Sequence, residues 1–123
     1  MFAIAKLAKS HNIVSAIDNT FATPIVQKPH TLGIDVIIHS ATKYFGGHSD
    51  ISAGAIASTQ KNVDKIWNLA KDFGGNLSDF SVWMLERSMK TLAIRVKAQQ
   101  KNAKKVARFL GKKLTNLKKK SLG

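Results

Sequence analysis

A lysine that closely follows an apolar segment of strand length is the feature that most constrains the fold of this chain. Residues 35–39 (Asp-Val-Ile-Ile-His) predict a β-strand, and Lys43 comes four residues after it. A second segment of strand length, residues 13–17, ends directly before Asp18. Open α/β sheets bind ligands in the crevice outside the carboxyl ends of their strands. The sequence therefore predicts that an acid and an amine face one ligand at the same sheet edge.

The side chains around Lys43 indicate which ligand this edge suits. Ser40 and Thr42 supply two hydroxyl donors beside the lysine. Pyridoxal 5'-phosphate (PLP) needs a lysine for its aldehyde, an acid for its ring nitrogen and donors for its phosphate. Lys43, Asp18 and the two hydroxyls match that set. Two plainer interpretations stay open, because an isolated lysine is usually a solvated charge and Asp-Asn-Thr at 18–20 is ordinary turn chemistry.

Composition limits the other function classes. The chain has 123 residues, no cysteine and a formal net charge of +13, so it holds one modest core and no disulfide or thiolate site. All of the excess charge lies in residues 87–123, which contain thirteen Lys or Arg and no acid. A basic stripe binds phosphate backbones without any special motif, so we favour a solvated helix face and tail over a nucleic-acid site. No apolar run approaches the roughly 20 residues that span a bilayer, and a cytoplasmic protein is expected.

Neither a metal site nor a nucleotide loop is predicted near the lysine. His39, His48 and Asp50 lack a second nearby carboxylate and helical His spacing, so a metal site is disfavoured. The glycines at 46 and 47 do not follow the pattern of a phosphate-binding nucleotide loop and predict a turn.

The rest of the pattern alternates helices and strands. A helix is predicted over 2–11, a loop closed by Pro24 over 18–24, a short turn or helix over 28–32 ended by Gly33, a strand near 52–58, and a helix over 62–72 ended by the glycines at 74 and 75. The small residues around Gly54 predict a close approach of another backbone segment.

A long helix is predicted from Ser78 or Asp79 to about Lys112. Apolar residues, interrupted by Gln99, recur at coiled-coil spacing: Val82, Leu85, Met89, Leu92, Val96, Ala103, Val106 and Leu110. This seam fits either a free coiled coil or a helix packed against another part of its own protein, and we favour the second. It is expected to be poorly buried.

Several motifs together resemble a known enzyme family. They are residues 18–24 (DNTFATP), 33–36 (GIDV), 39–44 (HSATKY), 47–50 (GHSD) and 85–95 (LERSMKTLAIR), followed by Asn102 and Ala103. In this order and spacing they are similar to the Cys/Met metabolism family of PLP-dependent enzymes, which includes cystathionine γ-synthase, cystathionine γ-lyase and methionine γ-lyase. The resemblance covers roughly residues 2–111.

The resemblance implies a fold and a role for each site residue. It implies an α/β fold, part of the large domain of a fold-type-I PLP-dependent transferase, with a mostly parallel sheet and an antiparallel strand near 53–58. Lys43 would attach the cofactor, Asp18 would hold its ring nitrogen protonated, and Ser40 and Thr42 would bind its phosphate. Residues 1–78 would belong to the cofactor domain, 79–112 to the long helix and 113–123 to a basic tail.

The implied activity is elimination or replacement on a sulfur amino acid or an activated homoserine, in a homotetramer. The family's glycine-containing phosphate loop, ring-stacking tyrosine and substrate-binding arginine have no counterpart here. The expectation is therefore an internal piece of such an enzyme, inactive alone. A basic module for nucleic acid or an acidic partner and an assembly module built on the helix seam are the alternatives.

Overall fold

The computed structural model describes residues 1–121, with side chains as far as residue 113. The elements are α1 (Phe2–Ser10), β1 (Ala16–Asp18), α2 (Thr23–Val26), a 3-10 turn (Pro29–Leu32), β2 (Val36–Ser40), β3 (Gly54–Ala57), α3 (Gln60–Phe73), α4 (Asp79–Met89) and α5 (Leu92–Ser121). Residues 1–92 form one compact unit, and the described residues from Ala93 onward, which are the rest of α5, form a second unit.

The three strands form one sheet in the order β1-β2-β3. β1 and β2 are parallel, with Asp18 opposite Ile38, and β2 and β3 are antiparallel, with His39 opposite Ala55. The predicted parallel pair and the predicted antiparallel third strand are confirmed, as is the α/β fold. Because parallel strands point the same way, the ends of β1 and β2 that carry Asp18 and Ser40 lie at one sheet edge.

One face of the sheet packs against α1. Ala5, Ile34 and Ile37 form the buried cluster, and Ile17 packs against it half-buried. Full burial of a side chain such as Ile37 contributes about 1.5–3 kcal/mol. Gly33 precedes this cluster with φ 86°, a left-handed conformation that favours glycine, and ends the 3-10 turn as the sequence predicts.

A polar contact joins the amino ends of β1 and β2. The backbone N–H and the hydroxyl of Ser15 both donate to one carboxylate oxygen of Asp35, at 2.8 and 2.7 Å. The backbone N–H of Val36 donates to the Ser15 carbonyl at 2.9 Å. Because these donors favour the ionised form, they hold the pKa of the Asp35 carboxyl below its usual range.

The strand predicted over 13–17 is displaced, because β1 begins only at Ala16. Ile13 and Val14 are each 62% exposed. The Ile13 N–H donates to the Ala8 carbonyl at 2.9 Å, and Asn12 has φ 55°. The first residues of the apolar segment therefore end α1 instead of pairing in the sheet.

Two local predictions near the strands are wrong. The segment predicted as a loop up to Pro24 contains a helical turn, α2, with the proline in its first turn, where a missing N–H breaks no helical hydrogen bond. The predicted backbone approach at Gly54 is absent, because nothing among the described residues lies within 4 Å of where its side chain would begin.

The pattern of a continuous long helix is interrupted in the structure. Ser78 caps α4 as predicted, accepting a hydrogen bond from the Ser81 N–H. The helix then stops at Met89, and α5 begins at Leu92. The hydroxyl and the N–H of Thr91 both bond the Ser88 carbonyl, at 3.1 and 3.2 Å, which is a local competitor to helical pairing.

The seam itself is largely solvent-accessible. Val82 is 51% exposed, Met89 42%, Val106 57% and Leu110 49%, whereas Leu92 and Val96 are buried. This agrees with the poor burial expected of the seam, and the choice between a coiled coil and packing within the protein stays a prediction. The helical part of the predicted basic tail extends to Ser121, while the side chains of its lysines at 118–120 lie outside the described residues.

No described helix combines the length and apolar character of a membrane span. No three His, Cys, Asp or Glu side chains within the described part of the chain cluster as metal ligands would.

Candidate active site at the carboxyl edge of the parallel strands

Asp18 is the last residue of β1, and its carboxylate is exposed at the sheet edge. One oxygen accepts a hydrogen bond from the Thr20 N–H at 2.9 Å. Hydrogen bonds from the Thr20 hydroxyl and backbone lower the pKa of the Asp18 carboxyl. The group is thus ionised near neutral pH and open to a cationic partner.

Thr20 joins the acid to the next strand. Its hydroxyl oxygen accepts a hydrogen bond from the Ser40 N–H at 2.7 Å, and its side chain also bonds Asp18. The neighbouring Asn19 N–H donates to the Ile38 carbonyl at 2.8 Å. Thr20 is only 6% exposed. This one threonine therefore fixes the spacing between the acid and the hydroxyl-bearing end of β2.

The two predicted phosphate ligands differ in how free their hydroxyls are. Among residues whose side chains are described, the Ser40 hydroxyl makes no hydrogen bond. The Thr42 hydroxyl accepts from the Ala53 N–H at 2.9 Å and lies 3.3 Å from the Ala53 carbonyl. Because the second contact is long, the Thr42 proton remains available to a better acceptor.

Lys43 lies in a tight turn that follows β2. Its N–H donates to the Ser40 carbonyl at 3.1 Å, and its carbonyl accepts from the Gly47 N–H at 2.7 Å. The Gly46 N–H closes the turn on the Ala41 carbonyl at 2.8 Å. The lysine side chain is exposed. The backbone of the lysine is thus fixed while its amine is open to solvent.

The loop that follows β1 is held by its own polar contacts. The side chains of Asn19 and Gln27 bond each other at 2.8 Å, and the Asn19 amide also donates to the Gln27 carbonyl at 3.1 Å. Within this loop Thr23 is fully buried at φ 58°, which is rare for a β-branched residue and costs on the order of 1–3 kcal/mol. The Phe21 and Tyr44 rings lie nearly perpendicular, with centroids 6.3 Å apart, and connect the two loops.

The donor set fits PLP. An exposed carboxylate suits a protonated ring nitrogen, an exposed amine suits an aldehyde, and a free serine hydroxyl beside a threonine proton suits a phosphate. The residues that carry these groups, Asp18, Lys43, Ser40 and Thr42, all follow or end β1 and β2. No side chain in this set must break a strong contact to take these roles.

The structure adds two residues that sequence reasoning did not assign. Thr20 seemed part of an ordinary turn, and nothing in its local pattern distinguishes the threonine that reaches β2. His39 was considered only as a metal ligand, yet it is buried against Phe45, with ring centroids 4.5 Å apart. Its alternation with the exposed Ile38 could have indicated an inward-facing position.

A separate cleft lies at the opposite end of the parallel strands. It has a volume of about 1060 Å³ and is lined by α1, the amino ends of β1 and β2 and the far end of β3. Its walls include Phe2, Val14 and Asp35. None of the predicted cofactor-binding residues lines it, so the chemistry of the side chains, and not cleft size, identifies the candidate site.

Comparisons with known proteins agree with the geometry. The sequence pattern of the Cys/Met metabolism PLP-dependent enzymes matches residues 1–119. Cystathionine beta-lyase of Lactococcus lactis subsp. cremoris is 44% identical over 108 residues, which are 87% of this chain and 28% of that protein. Cystathionine gamma-synthase of Haemophilus influenzae is 48% identical over 87% of this chain and 29% of its own length.

A solved structure shows the same fold. The crystal structure of cystathionine gamma-lyase from Lactobacillus plantarum complexed with L-serine superimposes with a TM-score of 0.86 at 47% identity. The match covers 89% of this chain and 29% of that one. The chain thus spans under a third of the length of these relatives, and over that span it belongs to the Cys/Met metabolism family of PLP-dependent enzymes.

Proposed function

We propose that this chain forms the cofactor-holding part of a PLP-dependent enzyme that breaks or makes carbon–sulfur bonds in amino acids. The observation that carries the proposal is that Asp18 ends β1 and Lys43 follows the parallel strand β2, with Thr20 bonded to both the acid and the end of β2. The relatives named as cystathionine lyases and synthases support the substrate class.

Each residue has a distinct role in this proposal. The Lys43 amine would hold the cofactor through its aldehyde with loss of water and, once the substrate's amine had displaced it, would move a proton at the substrate's α-carbon. The Asp18 carboxylate binds the protonated ring nitrogen, and the Ser40 and Thr42 hydroxyls donate to the phosphate. When bound, PLP withdraws electrons from the substrate's α-carbon. Thr20 keeps the acid ionised and in register with β2.

The substrate is a sulfur amino acid or an activated homoserine, and the reaction is an elimination or a replacement. The complete enzyme is proposed to act as a homotetramer in the cytoplasm. Sedimentation of an active preparation tests the assembly, since a monomer with full activity would contradict it.

Covalent trapping tests the cofactor site. We expect borohydride reduction of this chain with excess PLP to leave the cofactor mainly on Lys43, as mapped by mass spectrometry of peptides. Lys43→Ala should remove that modified peptide, and Asp18→Ala should weaken it by lowering cofactor affinity. Lys61→Ala, at an exposed lysine of α3, is the matched control and should change nothing at Lys43. Labelling spread evenly over all lysines would refute the site.

A chimera tests the activity. The 108 aligned residues of this chain would replace their counterparts in the Lactococcus lactis cystathionine beta-lyase, and release of α-keto acid from cystathionine would be measured. Turnover that is lost with Lys43→Ala supports the proposed roles. Turnover that survives this substitution would assign the proton transfer to another group.

A further inference from the structure

His39 is a buried polar residue that the proposed reaction does not use. Its side chain is 5% exposed, and its ring lies parallel to that of Phe45, with centroids 4.5 Å apart and planes at 26°. Its Nδ1 atom is buried and has no hydrogen-bond partner within the described residues. Buried polar atoms normally have partners, so an unpaired one calls for an explanation.

The backbone around His39 is fixed on both sides. The preceding carbonyl, that of Ile38, accepts from the Asn19 N–H at 2.8 Å. The following N–H, that of Ser40, donates to the Thr20 hydroxyl at 2.7 Å. His39 itself pairs with Ala55 of β3. The backbone that carries the ring is therefore held by hydrogen bonds on both sides and by pairing with β3.

Phe45, on which the His39 ring stacks, belongs to the turn that carries Lys43. Phe45 follows the lysine by two residues and is 8% exposed. It lies inside the turn that the Gly46 N–H closes on the Ala41 carbonyl. Contact between His39 and Phe45 thus connects the rigid strand to the turn that carries the amine.

We propose that His39 is a positioning residue for Lys43, and that its ring, through Phe45, sets where the turn holds the amine relative to Asp18. The inference rests on the proposed function for its meaning, since it concerns the geometry of the same site. It assigns the role to the ring face and not to the ring nitrogens.

The electrostatics agree with a role for the ring face. Burial lowers the pKa of His39, and the Asp18 carboxylate only partly offsets this. A neutral ring packs on Phe45 without the cost of burying a charge. A neutral His39 also leaves the negative charge of Asp18 available to the ring nitrogen of PLP.

Replacement of His39 distinguishes ring from nitrogen. His39→Phe keeps an aromatic face and removes the unpaired Nδ1, so we expect it to match wild type. His39→Ala removes the face, and an aromatic pair contributes about 0.5–1.5 kcal/mol beyond its buried area. That range corresponds to about a two- to twelvefold loss of turn stability. Phe45→Ala should cause a similar loss, and the double alanine variant should lose little more than either single one.

Two measurements report the effects of these substitutions. The first is hydrogen exchange at the Gly46 and Gly47 amides, which close the turn, with the Ile37 amide of β2 as a fold control. The second is the share of borohydride-trapped PLP found on Lys43 relative to the other lysines. We expect His39→Ala to reduce the protection of the Gly46 and Gly47 amides from exchange, and the share of PLP on Lys43, by about two- to twelvefold, the range set by the aromatic pair. His39→Phe should leave both at the wild-type level.

The outcomes separate this inference from the proposed function. Wild type with no preferred labelling at Lys43 refutes the cofactor site, whereas the exchange data still decide whether His39 holds the turn. Unchanged exchange and labelling in His39→Ala overturn the inference. A loss in His39→Phe as large as in His39→Ala also overturns it, because the nitrogens would then carry the role. If His39→Ala abolishes protection at Ile37, the Phe45→Ala variant decides by the same criteria.

Discussion

The carboxyl edge of β1 and β2 and the helices α3 and α4 are built by different means. At the sheet edge, Asn19, Thr20 and His39 are all under 10% exposed. Hydrogen bonds from the Asn19 and Ser40 N–H groups join the ends of the two strands, and the His39 ring stacks on Phe45. In α3 no residue is buried, and in α4 only Ser88 is. Trp67 and Trp83 are 57% and 56% exposed.

The described residues hold the candidate site in place by their own contacts, whereas the apolar faces of α3 and α4 need another surface to bury them. The candidate site is positioned by contacts within the three-stranded sheet and the loops that follow β1 and β2. The helices present large apolar side chains that the described residues leave more than half exposed, and exposed apolar patches mark interaction surfaces. Substitutions at the edge should therefore change stability and cofactor geometry, while substitutions on the helices should change association.

The largest effect is expected in the core beneath the edge. Ile37 is 6% exposed within the cluster against α1, so Ile37→Ala should lower the free energy of unfolding by about 2–5 kcal/mol. Urea denaturation measures it. Trp67→Ala is the matched helical change and should cost far less. Equal costs at the two positions would remove the contrast between the regions.

Thr20 gives the next largest effect. Thr20→Val keeps the shape of the side chain but leaves the buried Ser40 N–H without its acceptor, which should cost about 1–3 kcal/mol of unfolding free energy. It should also raise the pKa of the Asp18 carboxyl, because the Thr20 hydroxyl is the main group that lowers it. Denaturation and an NMR titration of Asp18 measure the two. Thr20→Ser keeps the hydroxyl and should restore both, and a wild-type Asp18 pKa in Thr20→Val would contradict the role.

Much of this edge was predictable because its signals are local. Apolar runs and the positions of Asp18 and Lys43 in sequence were enough to place an acid and an amine at one end of a parallel pair. The start of β1 was not, since Ile13 and Val14 are as apolar as strand residues and only the helix end at Asn12 excludes them. The function of Thr20 depends on a partner twenty residues away, which spacing does not reveal.

In the helices, a regular sequence pattern predicts too much, namely one continuous helix. The apolar spacing continues from Met89 to Leu92 without a break, so periodicity predicts a continuous helix. The structure ends α4 at Met89, and at this break the hydroxyl and the N–H of Thr91 both bond the Ser88 carbonyl. Such local hydrogen bonds compete with helical pairing, and apolar spacing does not report them.

A smaller effect on stability, but a clear one on association, is expected on α3. Trp67→Lys should reduce self-association in sedimentation experiments and leave the unfolding free energy within about 0.5 kcal/mol, as for most surface changes. Asn68→Lys adds the same charge at an exposed polar position of α3 and is the control. If both variants reduce association equally, charge repulsion and not the apolar face explains the result.

The smallest effect concerns acid stability at the other end of the parallel strands. The two hydrogen bonds from Ser15 lower the pKa of Asp35 from its ordinary value of 3.8. A carboxyl whose pKa is lower in the folded state stabilises the fold above its unfolded pKa, and this contribution is lost as the pH falls through the folded value. Asp18 behaves the same way, so wild-type stability should decline below about pH 4, near the ordinary pKa of Asp.

Asp35→Asn isolates the share of one carboxylate. The amide oxygen still accepts from Ser15 but carries no charge, so the variant should be less stable than wild type at neutral pH and should approach it in acid. Urea denaturation across this pH range measures the difference, with Asp72→Asn, at an exposed residue of α3, as the control. The Ser15 contact joins strands and is far from the helices' apolar faces, so Asp35→Asn should not alter self-association. If Asp35→Asn changed self-association as well as stability, the sheet and the helices would be energetically coupled. The contrast between the two regions would then apply to their contacts but not to their stabilities.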